Sequence, residues 1–352
     1  MTYMQFNELN QNYKKSIMLW LVALTVMVFL IIVIGGLTRL TDSGLSMVDW
    51  QPILGTIPPL NTNQWQSVFN DYKLSPEFKY VNKNMTLDEF KYIFWWEWFH
   101  RFFARLIGVV FIIPFVYFLV KKNLNSFFYK RFSIIFSLGL FQALVGWWMV
   151  KSGLSENPYV SPYRLTFHLS NAVIIYALLL WTSIEYYHLN NTNFISIKSK
   201  HVFILISIIL VFITILSGGF MAGSHAGQSF NTYPLMNGKF IPDDIFLKDL
   251  GLLNIFENTV MINFNHRWIA TITFIYTFSF FSYLIFNKFI NLSNRIILSV
   301  ILILTLQFLL GIMALLSNVA IHYGILHQTN SIALLSILFI AYFKSKLTGV
   351  KS

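Results

Sequence analysis

The sequence predicts an all-α polytopic membrane protein, with eight transmembrane helices arranged as two parallel-repeat four-helix bundles. Hydrophobic residues make up 56% of the chain and charged residues only 11%, far from the balance of a water-soluble domain. Eight apolar runs each reach the roughly 20 residues that a helix needs to cross a bilayer. The second half also repeats the first. Gly35-Gly36 and Gly44 recur as Gly218-Gly219 and Gly227, His100 as His266, Gln142 as Gln307, Gly146 as Gly311 and His168 as His327.

The runs fall at about 16–38, 99–120, 132–150, 165–187, 202–222, 265–286, 295–316 and 323–343. The first follows Lys14 and Lys15 as a signal peptide would. It is too long for the apolar core of one and ends in Gly35-Gly36-Leu37-Thr38 without a small-x-small cleavage site, so it is expected to stay as an anchor. The second opens on Phe99-His100-Arg101, behind an aromatic belt of Phe94, Trp95, Trp96 and Trp98 that marks the membrane interface. The third carries Gln142 and Gly146, and the fourth Phe167-His168-Leu169-Ser170-Asn171. The fifth ends in the second double glycine. The sixth opens on Asn265-His266-Arg267, the seventh carries Gln307 and Gly311, and the eighth carries Leu326-His327-Gln328-Thr329-Asn330.

An even number of helices per copy gives both copies one orientation, unlike the inverted repeats common in transporters. The expected domains are residues 1–190 and 191–352. With the N-terminus inside, the inner connections and ends receive Lys14, Lys15, Lys121, Lys122, Lys130, Arg131, Lys198, Lys200, Lys288, Arg295, Lys344, Lys346 and Lys351, while the short outer connections hold only Lys151 and Arg164. The positive-inside rule then puts both termini in the cytoplasm or matrix. The same topology accounts for the net charge of +11. The basic residues sit at helix ends and form no stripe with interleaved aromatics, so nucleic acid is not an expected partner. With no cysteine in the chain, structural disulfides and thiolate ligation of haem or iron–sulfur clusters are excluded.

Chemistry concentrates on the matched histidines. Two neutral imidazoles facing each other across a bundle can hold a haem iron from both sides, so two pairs on duplicated helices point to two bis-histidine haem sites, one between the second and fourth helices and one between the sixth and eighth. In this topology all four lie near the outer ends of their helices. A lone histidine there is more often an interfacial polar residue; repetition favours ligation, since polar groups inside spans are costly to keep. His188, His201, His225 and His322 have no counterpart and read as ordinary. Arg39, Arg101, Arg164 and Arg267 lie on the same side and are candidate partners for haem propionates, because guanidinium pairs bidentately with carboxylate; anchoring at the headgroups is the competing role. Asn171, Asn330, Gln142 and Gln307 read as helix-packing groups or partners of the imidazoles. Gly146 and Gly311 are expected to admit a neighbouring helix or a flat macrocycle.

The copies differ at one telling position. Glu97 precedes His100 by one helical turn on the same face, whereas its counterpart is Asn263. Matched ligands with a single acid suggest a division of labour, proton-coupled chemistry in the first half and electron storage or passage in the second. The bland alternative is a helix-start residue favoured by the macrodipole. A di-iron bundle would need the Glu-x-x-His motif twice with two further glutamates, and a zincin would need His-Glu-x-x-His; the chain has neither.

Longer strings carry a family resemblance. Gly35-Gly36-Leu37-Thr38-Arg39-Leu40-Thr41-Asp42-Ser43-Gly44-Leu45-Ser46, Trp50-Gln51-Pro52, Gly55-Thr56-Ile57-Pro58-Pro59, Glu97-Trp98-Phe99-His100-Arg101, Ala222-Gly223 with Ala226-Gly227, and Asn231-Thr232-Tyr233-Pro234-Leu235-Met236 resemble the haem A synthases along the whole chain. The likeness is to the subtype of mitochondria and alphaproteobacteria, which lacks the outer-loop cysteine pair of another bacterial subtype. The resemblance implies an oxidoreductase that oxidises the C8 methyl group of haem O to the formyl group of haem A, for cytochrome c oxidase. It further implies that His266 and His327 ligate a resident haem b, that His100 and His168 flank haem O, and that Glu97 is catalytic, as an acid/base or by stabilising a cationic intermediate.

A bacterial cell inner membrane location follows, with haem sites toward the periplasm. The expected partners are membrane lipid, a haem O synthase, an unidentified electron donor and further copies of the chain. Outer loops near 39–95 and 223–263 are expected to cap the haem edges, with Asp42, Asp49 and Trp50 ordering the first. The alternatives are a di-haem b-type electron-transfer membrane protein, which has no use for an acid at only one haem, and a haem carrier without chemistry.

Overall fold

A computed structural model describes residues 11–49, 54–124, 126–155, 157–188, 193–194, 201–287 and 289–348. Trp50, Lys198, Lys200, Lys288 and Lys351, to which the sequence assigned roles in the first loop or in topology, lie outside these. Eight long helices form the frame: α1 (Gln11–Leu40), α4 (Leu87–Val120), α5 (Ser126–Gly153), α6 (Pro162–Tyr187), α7 (Val202–Gly223), α9 (Thr259–Asn287), α10 (Asn294–Leu316) and α11 (Ile321–Ser345). Each is long and apolar enough to cross a membrane. Their outward residues are apolar and uncovered, Leu302 by 70% and Ile113 by 63%, which is costly in water and costless against lipid tails. Three shorter helices, α2 (Thr62–Lys73), α3 (Pro76–Tyr80) and α8 (Asn254–Glu257), lie in the segments that connect α1 to α4 and α7 to α9. The described strands are two-residue pieces, 193–194 pairing antiparallel with 347–348.

The boundaries follow local chemistry. Helix α4 starts twelve residues before the expected apolar run, at Leu87. The run-based boundary missed this because the added turns are amphipathic and stand outside the apolar stretch. A capping box fixes the start: Thr86 caps the Glu89 amide, and the Glu89 carboxylate takes a 2.7 Å hydrogen bond from the Thr86 amide. His100 therefore lies well inside α4 rather than opening it. Pro162 opens α6 at a position where its missing N–H costs nothing. Past the end of α1, Asp42 adopts a left-handed conformation (φ 47°) and its carboxylate pairs with Arg39 Nη1 at 2.6 Å.

The chain divides into two compact units, residues 23–176 and residues 177–352 with the chain start through Val22. In the first, the four long helices meet in cyclic order. Gly35 of α1 approaches His100 of α4, Phe111 of α4 stacks on Phe136 of α5, Asn171 of α6 donates to the Leu138 carbonyl of α5, and Phe29 of α1 packs on Tyr176 of α6. Above them, α2, α3 and the early turns of α4 enclose a small core of Phe69, Tyr72, Phe90, Ile93 and Phe94. Each of these buried large side chains contributes about 1.5–3 kcal/mol.

The second unit closes the same cycle with α7, α9, α10 and α11. Thr214 Oγ1 bonds Thr273 Oγ1 between α7 and α9 at 2.9 Å, Phe274 stacks on Phe308 between α9 and α10, and Asn330 of α11 donates to the Ile303 carbonyl of α10. At the end of this unit where α6 and α11 finish, Trp181 packs on Phe343, and Lys344 Nζ donates to His188 Nε2 at 3.0 Å.

Candidate functional site

Each of the four matched histidines rests its ring edge on a glycine of the preceding long helix. A Cβ added to the glycine would meet the ring Cε1 at 3.1 Å for Gly35 and His100, 3.0 Å for Gly146 and His168, 3.4 Å for Gly218 and His266, and 2.8 Å for Gly311 and His327. The glycines admit the imidazoles, a closer packing than the helix-or-macrocycle contact expected from sequence. All four rings are part-buried.

In the second unit the rings of His266 and His327 lie 6.4 Å apart between centres, with planes at 84°. A nitrogen–metal bond of about 2 Å on each side, with roughly 1 Å more to each ring centre, would place two axial imidazoles about 6 Å apart. That spacing leaves room for one metal ion between the two rings. In the first unit His100 and His168 lie within electrostatic reach of each other.

The remaining polar groups orient these rings. Gln142 Nε2 donates to His168 Nε2 at 3.2 Å and to the His168 carbonyl at 3.1 Å, while Asn171 Nδ2 holds Gln142 Oε1 at 2.7 Å. The duplicate is Gln307 Nε2 at 3.1 Å from His327 Nδ1, held through its Oε1 by Asn330 at 2.9 Å. Both Asn–Gln pairs thus act on the histidines as well as joining helices.

Glu97 is buried and fully engaged. Its Oε2 accepts from Ser46 Oγ at 2.7 Å and from the Met47 amide at 2.8 Å, and its Oε1 from Arg101 Nη2 at 2.6 Å. Arg101 Nη2 also donates to the Met47 carbonyl at 3.1 Å. The second unit repeats the clamp without the charge: Asn263 Oδ1 accepts from Arg267 Nε at 2.7 Å, Asn263 Nδ2 donates to the Ala226 carbonyl at 2.7 Å, and Arg267 donates to the carbonyls of Phe230 and Thr232. The displacement that carries Gly35 to Gly218 also carries Met47 to Phe230, so each arginine grips the same point of the loop that follows the first helix of its unit's repeat.

The four arginines thus all have protein partners. Arg39 pairs with Asp42, and Arg164 Nη1 donates to the Trp148 carbonyl at 2.8 Å and lies over that indole. Arg101 keeps one donor in reserve, a buried Nη1 without a partner. Asp49 is exposed. The sequence reading missed Ser46 and Met47 on Glu97 and Ser217 on His266; the repeat register was the available signal, since it marks where the copies diverge.

Among the described residues no three His, Cys, Asp or Glu side chains come together as a metal cluster. Paired imidazoles, with the macrocycle supplying the other ligands, satisfy haem iron without one. Fold and site define a polytopic membrane protein in which each unit sets two matched histidines against glycines of neighbouring helices. Comparison narrows the class. Residues 18–339 match the model of the COX15-CtaA family, described as "Cytochrome oxidase assembly protein". The chain is 48% identical over 73% of both chains to a "Heme A synthase" of Nitrosospira multiformis, 42% identical over 90% of both to one of Nitrosomonas eutropha, and 38% identical, over 96% of this chain and 100% of the relative, to one of Wolbachia from Brugia malayi. The chain belongs to the COX15-CtaA, or haem A synthase, family.

Proposed function

We propose that this chain is a haem A synthase that oxidises the C8 methyl group of membrane-embedded haem O to a formyl group, giving haem A. The observation that carries the reading is the asymmetry of a duplicated site: two matched histidine pairs, with a carboxylate, Glu97, beside only the first. His266 and His327 hold haem b, a role supported by their ring spacing. When bound, haem b supplies one-electron redox chemistry. His100 and His168 flank haem O.

Glu97 accepts from three donors, the contacts of an ionised, acceptor-only carboxylate. It places negative charge one turn from His100, where positive charge developing at the methyl carbon is stabilised. The buried Arg101 Nη1 is suited to a propionate. Both haem sites face the periplasm from a bacterial inner membrane, with the termini in the cytoplasm and the outer loops as caps. Haem O comes from a haem O synthase, and electrons from a membrane or soluble donor. Residues 1–190 form the substrate half and 191–352 the cofactor half, and the chain associates with further copies of itself.

The test is mass analysis of haems extracted from membranes expressing the chain with a haem O synthase, beside membranes lacking the chain. Haem A or its hydroxylated precursor, present only with the chain, is the expected result. Bound haem b with unaltered haem O, under oxygen and reductant, would replace the enzyme by an electron-transfer protein or carrier.

A further inference from the structure

The two units differ at a second point that the carboxylate asymmetry does not cover. Ser217 Oγ donates its only hydrogen to the Thr214 carbonyl at 2.8 Å, so at 2.8 Å from His266 Nδ1 it serves as an acceptor. Nδ1 must then carry the ring proton, which leaves the Nε2 lone pair for a metal and fixes the ring plane. The displacement that takes Gly218 back to Gly35 takes Ser217 back to Ile34, whose side chain has no acceptor to offer. Accordingly His100 Nδ1 is buried without a hydrogen-bond partner. An acceptor on the distal nitrogen makes an imidazole a stronger donor to a metal and holds its orientation.

We propose that Ser217 is a positioning residue that makes His266 a permanent, strong axial ligand of haem b, and that Ile34 leaves His100 a weaker, exchangeable ligand at the site through which substrate and product haem pass. The proposal rests on the haem reading above and deepens it. A resident cofactor has to stay through many turnovers, whereas a substrate haem has to enter and its product leave. The difference between a hydroxyl and an alkyl group on otherwise matched helices sets the two binding regimes.

The experiment uses the full chain, purified in detergent with its haem b, as wild type, S217A and the near-isosteric pair S217T and S217V. The readouts are the haem b midpoint potential and the rate of haem b transfer to apomyoglobin. A stronger donor favours the ferric form, so S217A and S217V are expected to raise the potential by about tenfold in relative affinity, ~59 mV, and to release haem b about tenfold faster. S217T should keep both wild-type values. If S217A does not assemble, S217T against S217V carries the comparison. Wild-type potential and retention in folded S217V would overturn the role of Ser217 while leaving the haem reading standing. A wild-type chain without haem b would overturn the reading and the proposal together.

Discussion

A carboxylate three residues from a histidine is read first as a catalytic base, yet Glu97 holds two structural partners and an ion pair besides. Glu97→Gln is therefore expected to act at two levels. Haem A formation should fall by about 10²-fold or more, the lower range of a positioned acid or base, with haem b retained. Hydrogen exchange in residues 41–49 should also accelerate, because one carboxylate oxygen is lost to Ser46, Met47 and Arg101. Haem analysis and exchange on the same preparation separate the effects; unchanged haem A output would remove the catalytic role. The glycines give a sharper contrast. Gly311→Ala puts a Cβ at 2.8 Å from His327 Cε1 and should cost about 1–3 kcal/mol of overpacking with most of the haem b lost, whereas Gly218→Ala, at 3.4 Å, should keep it. Absorbance spectra of the two purified variants check this. The glycines stand out in the sequence as repeats, but that a ring edge fills each space is settled only by how the helices pack.

Among the elements, the N-terminal extension of α4 with α2 and α3 is where apolar pattern alone fell short. Its core includes a buried polar cluster in which Tyr72 donates to Glu77 Oε2 at 2.9 Å and Asn82 donates to the Tyr72 oxygen at 2.8 Å. Burial, the largest cause, with Glu97 and Asp42 adding negative charge, raises the Glu77 carboxyl from about 4.5 to about 8, and burial also pushes the Tyr72 phenol up. The folded cap thus binds more protons than the unfolded one. Its stability should be full below about pH 4.5, fall as pH rises through about 8 and level off beyond. Exchange of cap amides between pH 6 and 9 should show this loss, and Glu77→Gln should abolish it; an unmodified pH dependence in that variant would assign the effect elsewhere. At the start of α4, Thr86→Ala is expected to cost about 1 kcal/mol, measurable by the same exchange.

Over the whole molecule, the charge distribution makes a testable statement about orientation. The chain has no cysteine, so single introduced ones report without background. Asn70→Cys in α2 should react with a membrane-impermeant maleimide in intact spheroplasts, and Lys122→Cys, beyond α4, only after lysis. The reverse pattern would invert the proposed topology. The eight spans were legible as eight apolar runs, with ends within a turn or two except where a helix outgrows its apolar stretch, as α4 does.

Sequence by itself determined the membrane solvent, the number of spans, the duplication and the paired histidines, because these are matters of composition and periodicity that no fold can change. Tertiary structure alone decided what each polar group is spent on. Glu97 and Arg101 bind a loop fifty residues away, Asn263 and Arg267 do the same in the repeat, and Ser217 reaches a ring on another helix. Hydrogen bonds are short-ranged and directional, so a residue's partner is fixed by which helices pack side by side, a property that spacing along the chain does not encode.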